Sequence, residues 1–275
     1  MKKVIIYVLM SFSLVGCSLD PSNAEKEQPE ETPVSSQVSG DEVEKEEPAS
    51  SVPQNDSEDE SSEQSEQTND DVVARDGTVT VNNPESLNVV VNKERKLPSN
   101  YIPEDLTVPD VPFSFSEFAP KKQMRKEAAQ ALEELFTAAQ QDGLDLVAAS
   151  GYRSYDRQKQ IYDRNVDVYG KEETDKFSAR PGTSEHQTGL AMDVTSAQMA
   201  FKLNQSFGKT DEGEWLAEHA HEYGFVIRYI KGSEDITGYT YEPWHLRYVG
   251  KQYSTDVYEQ ELTLEEFFGF HPVSE

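Results

Sequence analysis

A break in composition decides how much of this chain is able to fold. Between Ser18 and Asp71 stand 18 acidic side chains against two lysines, with Ser, Pro and Gln filling most of the rest, as in Ser57-Glu58-Asp59-Glu60-Ser61-Ser62-Glu63. So little apolar surface cannot offset the entropy of ordering a backbone, and the segment is expected to be disordered. As a flexible coil its 54 residues would have an r.m.s. span of roughly 40 Å, and more under like-charge repulsion. From about Pro84 the composition turns globular, and both tryptophans, Trp215 and Trp244, lie beyond that point. Roughly 190 residues remain, ample for one hydrophobic core. The formal charge of −27 argues against DNA or RNA as a partner, because phosphate recognition needs a basic face. A single cysteine, Cys17, rules out an internal disulfide, a Cys-rich zinc knuckle and an iron–sulfur cluster.

The N-terminus carries a separate signal. Lys2-Lys3 precede an apolar stretch from Val4 to Gly16, followed by Cys17. That length suits an export signal and falls short of the ~20 apolar residues that a membrane-spanning helix needs. Leu14-Val15-Gly16-Cys17 resembles the lipobox of bacterial lipoproteins, which implies cleavage before Cys17 and lipidation of that residue. The expected organisation is a lipoprotein signal peptide at 1–16, a lipidated Cys17 with an acidic disordered linker at 17–83, and a catalytic domain at 84–275. No internal repeat is visible, and a tethered monomer is the simplest arrangement.

Within the folded part, 88–109 is too rich in proline for a helix and reads as an extended arm. Lys121 to Gln141 follows with Met124, Ala128, Leu132, Leu135, Phe136 and Ala139 at three- and four-residue spacing, a helix that Gly143 stops. Leu144 to Ser150 reads as a strand, and Ser154 caps a second helix that runs to about Tyr169 and ends at Gly170. Leu190 to Val194 reads as a strand, about Glu212 to Tyr223 as a third helix, and Phe225 to Tyr229 and Tyr239 to Tyr248 as strands. Helices and strands mix without strict βαβ alternation, so the fold class is α+β.

Of five histidines, two sit near carboxylates at suggestive spacing: Ser184-Glu185-His186-Gln187-Thr188-Gly189-Leu190-Ala191-Met192-Asp193 and Glu242-Pro243-Trp244-His245. Two imidazoles and one carboxylate are the ligands Zn²⁺ takes in many hydrolytic sites, with a fourth position left open. Gly189 relieves the backbone where a loop would deliver His186 beside the strand that carries Asp193. Pro243 disfavours a helical Glu242, so this carboxylate is held near the metal without ligating it, where a general base belongs. Singly, each residue has a plain structural explanation, such as a core histidine, a strand-end aspartate or a solvated acid. The two segments together, with Arg153 placed just before a helix, favour a hydrolytic site. His219 and His221 lie within the third helix, where residues two apart diverge and cannot chelate together. His271 falls in a frayed C-terminal tail.

This pattern, Ser-x-His-x-x-Gly-x-Ala-x-Asp followed by Glu-x-x-His, resembles the LAS metallopeptidases and, within them, the VanY-type D-alanyl-D-alanine carboxypeptidases. The resemblance extends over about 88–269 and takes in Ser150-Gly151-Tyr152-Arg153-Ser154 with Gln158, Glu214-Trp215-Leu216 and Tyr223-Gly224-Phe225. It implies one compact domain, with a small, mostly antiparallel sheet flanked by helices. It also implies one Zn²⁺ bound by His186, Asp193 and His245, Glu242 as catalytic base, and Arg153, Gln158 and Ser184 lining the substrate site. Arg153 would grip a carboxylate or the developing oxyanion. The expected activity is zinc-dependent D,D-carboxypeptidation, removal of the terminal D-Ala from peptidoglycan stem peptides outside the cell membrane. Alternatives are an L,D-carboxypeptidase using the same site on a tetrapeptide, an endopeptidase with an open cleft, and a non-catalytic, zinc-stabilised wall-binding or signalling module. A spare base beside the ligands argues against the last.

Overall fold

The computed structural model describes residues 71–74 and 77–270; the expected signal peptide, Cys17, most of the acidic linker and His271 lie outside the described residues. Five two-residue strands come first: β1 (Val72–Val73), β2 (Val79–Thr80), β3 (Arg95–Lys96), β4 (Leu106–Thr107) and β5 (Met124–Arg125). The proline-rich arm is extended as expected: β3 runs parallel to β2, and β4 pairs antiparallel with β5. Ordered contacts begin upstream of 84, where Asp71 accepts a 2.7 Å ion pair from Arg95.

The first helix starts later than the apolar spacing predicts. The chain makes a 3₁₀ turn at Pro120–Lys122 and then a strand, so α1 spans Lys126–Gln141. Met124 fits the helical period, yet pairing with Thr107 holds it in β5, and its side chain is fully buried. Tertiary hydrogen bonding overrides the local pattern here. Beyond that point α1 is amphipathic, burying Ala128, Leu132, Leu135, Phe136 and Ala139 along one face.

β6 (Leu146–Ser150) leads into α2 (Tyr155–Tyr169), where Ser154 Oγ accepts from the Arg157 N–H at 3.2 Å and Gly170 ends the helix. An unexpected helix, α3 (Lys171–Phe177), follows at once; it buries only Thr174 and so carries no apolar stripe in sequence. Then come β7 (Ala191–Ser196), α4 (Asp211–His219), β8 (Phe225–Tyr229), α5 (Glu234–Thr237), β9 (Glu242–Tyr248), α6 (Lys251–Glu259) and α7 (Leu264–Phe268). The third predicted helix splits into α4 and a 3₁₀ turn at Ala220–Tyr223 that ends at Gly224. His219 lies 3.1 Å from Glu222, and the His221 ring stacks on Tyr258 at 3.8 Å, so the two histidines serve packing separately.

The main sheet has the order β6-β7-β9-β8, with every neighbouring pair antiparallel. One of its faces packs on α1, joining Met192, Val194, Phe225 and Leu246 to Leu132 and Leu135 in a core closed to solvent. The architecture is thus α+β, a small antiparallel sheet flanked by helices. Gly151, just past β6, sits where a Cβ would run into the Gln123 carbonyl and come within 2.8 Å of Met192 Cε. Only glycine lets the chain pass so close to β5 on its way to the site. Among the described residues no helix is long and apolar enough to cross a membrane.

Candidate metal centre

The face of the sheet opposite α1 brings the predicted ligands together. Asp193 on β7 and His245 on β9 are register partners, so their side chains project side by side. His186 arrives from a 3₁₀ turn, Glu185–Thr188, which Gly189 closes at φ 69 just before β7. A bulge in the β6–β7 pairing beside Asp193 lets the chain turn towards this turn through Gly151. Asp193 Oδ1 lies 3.0 Å from His245 Nδ1, and Oδ2 lies 3.4 Å from His186 Nε2. All three side chains are buried, and one ligand atom from each falls within 4.8 Å of the others.

The donor set fits a zinc ion. His186 Nδ1 lies 2.8 Å from the Gly151 carbonyl, which can only accept, so this nitrogen carries the proton and Nε2 is left bare towards Asp193. Burial holds the His186 pKa below its usual value, which keeps the ring neutral as ligation requires. At His245 burial is outweighed by the hydrogen bonds to Asp193 and Glu185, which lift its pKa to about 9. Two nitrogens and one carboxylate converging from buried side chains would leave a four-coordinate ion one position for water or substrate.

Glu242, the first residue of β9, reaches the cluster from its edge, with Oε2 4.0 Å from His245 Nδ1. Burial pushes its carboxyl up to about 7, with His245 acting in the opposite direction. A cleft of about 170 Å³ opens over the cluster; Arg153, Ser184 and Glu242 line it beside the three ligands, and Phe177, Tyr229, Tyr239 and Trp244 form its walls. The Arg153 guanidinium is fixed by the Gln158 Oε1 at 2.9 Å and the Ser150 Oγ at 3.3 Å. Gln158 is therefore placed behind Arg153 rather than on the cleft surface; it is 2% exposed and donates its amide to the Ala179 carbonyl at 2.6 Å.

Glu185 was not legible as a site residue. It is fully buried and accepts from Arg228 Nε at 2.7 Å and Arg247 Nη1 at 2.8 Å, and its Oε2 lies 3.4 Å from His245 Nε2. Its partners stand 43 to 62 residues away. The one available signal was a glutamate next to a ligand histidine on an otherwise uncharged segment.

Comparisons with known proteins agree with this geometry. The VanY (D-alanyl-D-alanine carboxypeptidase) family model matches residues 121–251. The putative carboxypeptidase YodJ of Bacillus subtilis is 52% identical over 198 residues, 72% of each chain. A solved LdcB LD-carboxypeptidase is 51% identical with a TM-score of 0.70, covering 74% of this chain and 95% of that one. The vancomycin-resistance D,D-pentapeptidase VanY of a VanB-type cassette, solved with Zn(II), is 34% identical with a TM-score of 0.54, covering 67% and 99%. With its buried His-Asp-His cluster, its sheet order and these likenesses over most of the folded part, the chain belongs to the VanY family of D-alanyl-D-alanine carboxypeptidases, LAS-type zinc peptidases.

Proposed function

We propose that this protein removes the terminal D-alanine from peptidoglycan stem peptides, with the tetrapeptide, and hence L,D cleavage, as its first substrate. The observation that carries the reading is a non-ligating carboxylate, Glu242, beside three buried ligands in a cleft that Arg153 also lines. Preference for the tetrapeptide draws support from the LdcB LD-carboxypeptidase at 51% identity over 95% of that chain. The D,D reading on a pentapeptide keeps support from the family match and from the D,D-pentapeptidase at 34% identity.

A zinc ion held by His186 Nε2, Asp193 and His245 Nδ1 would polarise the scissile carbonyl and acidify water. Glu242 accepts the proton of the attacking water and returns it to the departing amine. Arg153, with its plane set by Gln158 and Ser150, offers a fork of N–H donors to the substrate's C-terminal carboxylate. Ser184, 5% exposed at the cleft floor, adds a hydroxyl beside it. Phe177, Tyr229, Tyr239 and Trp244 line the cleft and narrow it around these groups. A purely structural metal site would have no use for Glu242. The lipobox at Cys17 and the acidic tether support an anchored location on the outer side of the cell membrane, where an intact mass of the mature N-terminus reads the lipid directly.

Incubating the full chain with defined tetrapeptide and pentapeptide muropeptides, with and without a chelator, tests the function. Mass spectrometry should show chelator-sensitive loss of one alanine from the tetrapeptide; no loss from either peptide would refute the activity. In the same assay, Arg153→Lys should lower kcat/KM roughly 10–100-fold, the worth of a hydrogen-bonded charge, because an ammonium cannot reproduce the planar fork. The thermal midpoint should fall only modestly, because Gln158 Oε1 and Ser150 Oγ lose a partner while the fold's core is untouched. Unchanged kinetics would place Arg153 outside recognition.

A further inference from the structure

Glu185 and both guanidinium groups that hold it, those of Arg228 and Arg247, are 0% exposed in their side chains. Arg228 also forms a two-pronged pair with Glu265 of α7, at 2.9 and 2.6 Å, and Asn92 Nδ2 donates to Glu265 at 3.2 Å. Arg247 donates in addition to the Leu87 and Val89 carbonyls. Apolar side chains of the same volume are often as stable as such a cluster or more so, so stability alone does not account for it. The arrangement of the Glu185 carboxylate is informative. Both arginines bond to Oε1, while Oε2 is the oxygen that faces His245 Nε2.

We propose that Glu185 is a positioning residue for the metal ligand His245: it accepts the Nε2–H of the ring, so that Nδ1 is the nitrogen that can be freed for a metal beside Asp193 and His186. This rests on the three-ligand reading above. Each imidazole has two nitrogens, and a ligand nitrogen must be unprotonated, so the other carries the proton and, on a buried ring, needs an acceptor from the protein. For His186 that acceptor is the Gly151 carbonyl. For His245, Nδ1 lies 3.0 Å from Asp193, and Glu185 is the carboxylate on the opposite side of the ring. The arginines clamp Oε1 and thereby fix the direction of Oε2. The ring plane of His245 is set in turn.

The test compares zinc affinity, by competition with a chromogenic chelator, for the full wild-type chain, Glu185→Gln and Glu265→Gln, together with the thermal midpoints of the zinc-free proteins. Glu265→Gln disturbs the same buried cluster without touching His245 and so reads the purely structural effect. Glu185→Gln should weaken zinc binding ~10–100-fold, while Glu265→Gln stays within roughly threefold of wild type whatever its midpoint. Equal losses in the two variants would overturn the proposal. Should Glu185→Gln not fold, nitrogen-15 NMR of the zinc-loaded wild type decides: the expected signature is a protonated, slowly exchanging Nε2 on His245, and a bare Nε2 would overturn it. A wild type that binds no zinc would refute the three-ligand reading as well, whereas a normal wild type with an insensitive Glu185→Gln refutes only the positioning role.

Discussion

Replacing Glu242 with alanine is expected to leave the zinc content unchanged and to slow hydrolysis by ~10²–10⁴-fold, the range that general acid–base help contributes. The carboxylate stands at the edge of the ligand cluster, 4.0 Å from a ligand nitrogen, on the first residue of β9. It completes no coordination shell, so its removal should leave the three donors in place while depriving the attacking water of a proton acceptor. Elemental analysis of the purified variant and single-turnover assays on tetrapeptide muropeptides separate the two effects. Near-normal turnover would remove Glu242 from the mechanism, and loss of zinc would show that it acts as a ligand.

His186→Ala should behave in the opposite way. Only Asp193 and His245 would remain as donors, too few to grip a tetrahedral ion that leaves one position to substrate. Zinc should fall from an equimolar amount to a small fraction after dialysis, and activity should fall with it. The variant also strips the Gly151 carbonyl of its 2.8 Å partner, so a modest drop in thermal midpoint should accompany the metal loss. Full zinc occupancy would overturn the ligand assignment.

The contrast between these residues and Glu185 shows where a sequence is informative. Asp193 and His186 were legible because a seven-residue spacing with a glycine between them describes a turn feeding a strand, which is local geometry. The limits of α2 were legible for the same reason, since Ser154 and Gly170 act on backbone groups within a few residues. Met124 misled because a period of three to four residues cannot tell a helix from a strand that buries one side chain at that spot. The helices α3, α5, α6 and α7 are not legible in the sequence: α3 buries only Thr174, α6 buries only Ser254 and Val257, and α5 and α7 are four and five residues long. Gln158 was recognised but misplaced, because what it touches depends on Ala179, 21 residues away. Glu185 depends on partners from β8 and β9, and no local rule connects them.

The pairing of Asp193 with His245 has a consequence for how this gene is able to change length. Met192 and Val194 flank Asp193 and point into the core, so the strand's odd–even parity alone aims the carboxylate at the ligands. One codon gained or lost between Gly189 and Asp193 would bury the acid in hydrocarbon and turn a methionine or valine towards the histidines. Within the 52-residue interval between Asp193 and His245, the exposed stretch 200–206 lies outside every strand of the sheet and is under no such count. A single-residue insertion scan read by zinc uptake should therefore show loss of uptake at 190–193 and tolerance across 200–206.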